Sequence, residues 1–119
     1  MDLTLRLIQP GDKDAWSALW TAYLEFYETS VSDAVYDATF DRLCDPKVTD
    51  QNGILAVLND RPVGLVHYIY HAHNWRLEPV CYLQDLYADP KVRRTGVGRK
   101  LIEAVYAQAD TDGCPSVYW

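Results

Sequence analysis

Apolar residues recur along this chain with two different periods, and the switches between them outline a fold. Leu3, Leu5 and Leu7 alternate with polar residues, which predicts a half-buried strand. Pro10-Gly11-Asp12 then turns the chain, and Asp12 is a residue type that caps a helix start. Trp16, Leu19, Trp20, Tyr23, Leu24 and Tyr27 come next at i, i+3, i+4, i+7, i+8 and i+11, one face of that helix. A second, shorter helix is predicted from about Ser32, with Tyr36, Phe40 and Leu43 inward and an end before Pro46. Two β-rich runs, Ile54–Leu58 and Val63–His71, flank Asn59-Asp60-Arg61-Pro62 and predict a hairpin. After a loop over 73–79 come a strand Val80–Ala88 and a helix from Leu101 to about Asp110. Gly113 then stops the helix, and Val117-Tyr118-Trp119 opens another strand. The order βααβββαβ predicts an α+β sandwich: a mainly antiparallel sheet with helices covering it.

At 119 residues the chain has room for a single core, so one domain over 1–119 is expected. No apolar run reaches the length of a membrane span, and the start carries no basic-then-apolar export signal. Cys44, Cys81 and Cys114 are odd in number and form no Cys-x-x-Cys pair, which fits a reduced, cytoplasmic protein. The net charge of −6 is unevenly placed. Residues 1–50 hold ten acids against four bases, while 51–119 hold seven of each. Such polarity suits an acidic part that attracts a cationic substrate and a basic part that holds an anion. One short basic stretch is too little for duplex nucleic acid as the main ligand.

That stretch is Lys91 to Lys100, with five cations, no acid, and glycines at 96 and 98. It lies between a strand and a helix. A helix start offers unpaired N–H groups and partial positive charge, and glycines let the backbone approach a phosphate closely. A phosphorylated ligand is therefore expected. A P-loop needs four residues between its glycines and then Lys-Ser or Lys-Thr, which is not the pattern here. A dinucleotide fingerprint needs a small residue where Leu101 stands.

The remaining pattern, Arg93-Arg94-Thr95-Gly96-Val97-Gly98, resembles the Arg/Gln-x-x-Gly-x-Gly/Ala signature of the GNAT N-acetyltransferases. The flanks Leu83 to Pro90 and Lys100-Leu101-Ile102 resemble that family's fourth strand and third helix. Trp16 to Tyr27, Asp85-Leu86-Tyr87 and Pro115 to Trp119 are most similar to the branch that acetylates histones, polyamines and D-amino acids. The resemblance covers essentially the whole chain. It implies acetyl-CoA as co-substrate and no metal. Amides of Arg94, Thr95, Gly96, Val97, Gly98 and Arg99 would bind the pyrophosphate, with Arg93 and Lys100 adding charge. Backbone of Leu86, Tyr87 and Ala88 would pair with the pantetheine like an added strand. It further implies a C-terminal helix and strands beyond Trp119, so the chain is expected to lack part of the usual domain. An apolar, thinly covered fourth-strand edge would then favour a homodimer.

An aliphatic amine of pKa about 10.4 is neutral in only about one molecule in 2,500 at pH 7, so the acceptor must lose a proton. Relatives that act on polyamines carry a Glu where this chain has Gln84, which is no base. Gln84 is then a water-orienting residue, with Asp85 or an acid from the first-helix region as proton sink; Gln84 and Asp85 lie on opposite sides of the strand if side chains simply alternate. Tyr27, Glu28 and Asp33 lie where the first two helices meet, the region that shapes the acceptor pocket in the resembled family. His67, His71 and His73 share one parity and would line one face, with no acid or Cys at ligand spacing to make a metal site. The reading is direct acetyl transfer to a small cationic amine, polyamine or lysine-like acceptor. The alternative is a non-catalytic CoA-binding module of the same fold.

Overall fold

The computed structural model describes residues 3–119. Five strands form one sheet in chain order: β1 (Leu3–Leu7), β2 (Gln51–Leu58), β3 (Arg61–His71), β4 (Val80–Ala88) and β5 (Ser116–Tyr118). β1 to β4 are mutually antiparallel, and β5 joins β4 in parallel from Val80↔Ser116 to Tyr82↔Tyr118. The helices are α1 (Lys13–Phe26), α2 (Asp33–Cys44) and α3 (Val97–Thr111). The predicted order βααβββαβ is the observed one. Among the described residues no helix is long and apolar enough to cross a membrane.

Strand alternation sorts the core into two layers. Leu55 and Leu65 point to one face, where they meet Trp16, Leu19, Trp20, Leu24 and Phe40 of α1 and α2. Ile54, Ala56, Val66 and Tyr68 point to the other, against Val97, Leu101, Val105 and Ala109 of α3. The α3 set is spaced by fours, one helical row laid along the sheet.

Several boundaries move for identifiable reasons. The β2–β3 turn is only Asn59-Asp60, both at positive φ (50° and 68°), the backbone a tight two-residue hairpin needs. Asp12 occupies the start of α1 without capping it. Its carboxylate instead holds Arg6 at 2.7 and 2.9 Å and accepts from the Gln9 amide at 2.7 Å. Ser32 does cap α2, accepting from the Val35 amide. Tyr27, the last member of the predicted stripe, falls just past α1 and is 62% exposed. A 3-10 turn spans Pro90–Thr95, and α3 begins at Val97 rather than at Leu101, so Gly98 lies inside its first turn.

One irregularity changes which way the side chains of β4 face. Asp85 pairs with His67 and Leu83 pairs with Tyr68, which leaves Gln84 as an extra residue in β4. This bulge reverses the strand's parity. Leu83 packs with α3, whereas Asp85 meets α1.

Candidate active site

The basic turn is built by its own backbone. The Asp89 amide donates to the Val63 carbonyl at 2.7 Å and the Asp89 carboxylate accepts from the Lys91 amide at 2.9 Å, which ties the end of β4 to the turn. Val92 is buried beneath it, and the Thr95 hydroxyl donates to the Val92 carbonyl at 2.6 Å. Gly96 adopts φ +85°, a conformation that costs most other residues energy, and so aims α3 back along the sheet. The first bond of the α3 ladder runs from the Lys100 amide to the Gly96 carbonyl at 3.0 Å. The amides of Val97, Gly98 and Arg99 lie ahead of that ladder, and no side chain caps them. A Cβ placed on Gly96 or Gly98 would meet nothing within 4 Å, so open space lies over this row of donors.

The cations around the turn divide. Arg93 folds back, its Nε donating to the Ala88 carbonyl at 2.9 Å and its guanidinium 5.6 Å from the Tyr87 ring centre. Arg94 and Arg99 are exposed beside the glycines. Lys100 lies on the flank facing β1, where it shares a shallow cleft with Leu3, Leu5 and Glu103. Along Leu86, Tyr87 and Ala88, β4 has β3 on one side, while β5 pairs only at Val80–Tyr82.

A second centre forms where β4 bulges. The buried His67 ring lies between two indoles and a carboxylate: Trp16 Nε1 donates to its Nε2 at 2.9 Å, and its Nδ1 is 2.8 Å from Asp85 Oδ2. Trp20 Nε1 donates to the same Asp85 oxygen at 3.2 Å. Burial and the nearby Asp85 charge push the Tyr23 hydroxyl well above its ordinary pKa, so it stays protonated. A cavity of about 300 Å³ opens here, lined by Gln84, Asp85, Trp20, Thr39, Arg42 and Asn52 among others. Gln84 and Asp85 therefore border one cleft, contrary to simple alternation, because the bulge turns Asp85 toward α1.

Tyr27, Glu28 and Asp33 do not line this cleft; Val31 and Val35 of the same segment do. His71 and His73 are also elsewhere. His71 Nε2 lies 2.7 Å from the Tyr118 hydroxyl, and His73 Nδ1 accepts from the Trp75 amide at 3.1 Å. Both border a larger cavity of about 940 Å³ at the other end of β3 and β4, remote from the basic turn. The smaller cleft is the better candidate because a half-buried carboxylate, oriented by His67 and Trp20, faces it. The sequence places His67 only on a shared face with His71 and His73 and Trp16 and Trp20 only on the inward stripe of a helix, and gives Arg42 no role. A lone histidine within the apolar run Val63–Tyr70 was the available signal.

All three cysteines are free, and burial raises each thiol pKa, Cys81 to about 12. They are thiols, not thiolates, at neutral pH.

The sequence profile of the acetyltransferase (GNAT) family matches residues 15–119. The chain belongs to the GNAT acetyltransferase family. Among curated proteins, this GNAT chain is 41% identical to the D-amino-acid N-acetyltransferase HPA3 of Saccharomyces cerevisiae, over 98% of its own length and 73% of the relative's. Its fold matches AAC(6')-Iy in complex with a CoA bisubstrate analogue at TM-score 0.84 and 17% identity, covering 99% of this chain and 78% of that one. A ribosomal-protein-alanine N-acetyltransferase from Brucella melitensis aligns at TM-score 0.79 and 14% identity, covering 98% and 78%. The protein is thus a GNAT N-acetyltransferase, with the sheet and helix order of that fold.

Proposed function

We propose that this protein transfers the acetyl group of acetyl-CoA to the primary amine of an amino acid, by direct attack in a ternary complex. One observation carries the choice of acceptor: Asp85 and Arg42 line the same cleft. A carboxylate and a guanidinium across one small cavity complement the ammonium and carboxylate of an amino acid. A polyamine has nothing for Arg42 to bind. The name of the 41% identical yeast relative points the same way.

The residues present fit CoA. Uncapped amides at Val97, Gly98 and Arg99, open space over Gly96 and Gly98, and the exposed Arg94 and Arg99 together suit a pyrophosphate. The backbone of Leu86 to Ala88 suits a pantetheine lying alongside as a strand would. Bound acetyl-CoA supplies an activated acyl group. Within the protein, Gln84 holds a water and Asp85 takes the amine's proton through it. An amide of β4 donates to the carbonyl oxygen as negative charge grows there. Cysteines held as thiols leave no thiolate nucleophile for a covalent route. The proposal extends to a single domain, to residence in the cytoplasm with reduced thiols, and to a homodimer.

The test is thiol release from acetyl-CoA with D- and L-amino acids, spermidine and small amines as acceptors. Amino acids are expected to turn over best. Arg42→Gln should raise their KM by about threefold to tenfold, one lost charge-assisted hydrogen bond at an exposed side chain. Preference for spermidine, with Arg42→Gln neutral, would replace the amino acid by a polyamine. No turnover with any amine would remove the reading.

A further inference from the structure

His67 is one of the few polar side chains buried in the described core, and its hydrogen bonds leave little freedom. An indole N–H only donates, so the 2.9 Å contact from Trp16 requires a lone pair on His67 Nε2. The ring is then neutral and carries its proton on Nδ1. That proton is donated to Asp85 Oδ2 at 2.8 Å, and Trp20 donates to the same atom at 3.2 Å. Both donors converge on one carboxylate oxygen. The Tyr23 hydroxyl also hydrogen-bonds this carboxylate, and Oδ1 is the oxygen that neither ring engages. Asp85 lines the cleft, so its carboxylate borders that space.

We propose that His67 is a positioning residue for acetyl transfer. Trp16 locks its tautomer, and the locked ring, with Trp20, pins Oδ2 so that Oδ1 alone receives the acceptor's proton. The inference rests on the N-acetyltransferase reading and adds the atom and its support. In the step, an N–H bond of the amine breaks and an O–H bond forms on Oδ1, through the cleft water. The nitrogen lone pair makes the new C–N bond, and the C–S electron pair leaves with the thiolate. His67 relays no proton in this scheme, because its only free lone pair is engaged by Trp16. The proton returns to the cleft. Tyr23 of α1, Tyr36, Thr39 and Arg42 of α2, Gln51 and Asn52 of β2, and Tyr82 and Gln84 of β4 are among the other polar groups around the indoles and the carboxylate.

A merely structural histidine makes different predictions, and two measurements separate them. Nitrogen-15 NMR of the whole protein at neutral pH should find His67 as the Nδ1–H tautomer. His67→Phe fills the space but cannot donate; kcat should fall roughly tenfold to a hundredfold with little change in amine KM, and the acid limb of the pH–rate profile should shift. His67→Asn, whose amide nitrogen sits near the Nδ1 position, should recover most of that loss. An Nε2–H ring overturns the proposal. So does an unimpaired His67→Phe, or a folded His67→Asn with kcat down a hundredfold. If His67→Phe does not fold, the NMR result and His67→Asn decide alone. Failure of wild-type protein to acetylate any amine would instead remove the activity, leaving the tautomer measurement standing on its own.

Discussion

Asp12 illustrates how a residue type that suits one task is taken by another. Its position at the start of α1 suits a cap, yet Arg6 presents a fork of donors to the carboxylate and wins. The Arg6 hydrogen bonds, opposed by burial and assisted by the Gln9 amide, hold its pKa below the ordinary value. A depressed carboxyl stabilises the fold fully above the unfolded value near pH 4, and that stability is lost as pH falls through the folded value. Asp12→Ala should therefore cost about 1–2 kcal/mol at pH 7 in urea unfolding, and the gap to wild type should close toward pH 3. Asp85→Asn tests the other key carboxylate. Its amide oxygen still accepts from His67 and Trp20, so the melting temperature should hold, while kcat falls roughly a hundredfold or more because no base remains.

At the scale of elements, periodicity located every helix and strand core, since the amphipathic rows Trp16–Leu24 and Leu101–Ala109 are long and regular. What it could not supply was the bulge. Strict alternation puts Leu83 and Asp85 on one face; the extra residue Gln84 separates them, and only the partner strand's register reveals it. The same holds for the candidate cleft, whose lining comes from α1, α2, β2, β3 and β4 together. The glycine turn was readable because its chemistry is local: backbone amides need spacing and a positive φ, not distant partners. Gly98→Ala separates its two roles. Alanine favours a helix over glycine by up to about 1 kcal/mol, and the added methyl meets open space, so the free protein should melt no lower. The same methyl intrudes where a pyrophosphate would lie. Acetyl-CoA affinity by calorimetry should therefore drop, and a stability gain paired with a binding loss is the signature to seek.

For the molecule as a whole, a net charge of −6 coexists with a local basic turn, so the anion binding proposed there would depend on the near field of Arg94, Arg99 and the α3 amides. Acetyl-CoA at about a hundred times its Kd should stabilise the protein by about 2.7 kcal/mol, read as a rise in melting temperature. Raising the ionic strength should shrink that rise, because exposed cations are screened. NADH and ATP should match neither the size nor the saturation of the effect. A rise of equal size with either would place the nucleotide, not the thioester arm, in control of binding.

Trp16 and Trp20 stack with ring centres 5.1 Å apart, and the second shares its N–H with the carboxylate that faces the cleft. Two indoles this close couple their electronic transitions, so the near-ultraviolet circular dichroism should carry a signature of the paired rings. Anything that displaces the Asp85 side chain changes the field at Trp20 directly. The protein thus contains its own optical reporter, one that registers an occupant of the cleft without label or turnover and is spatially distinct from the exposed Trp75 and Trp119.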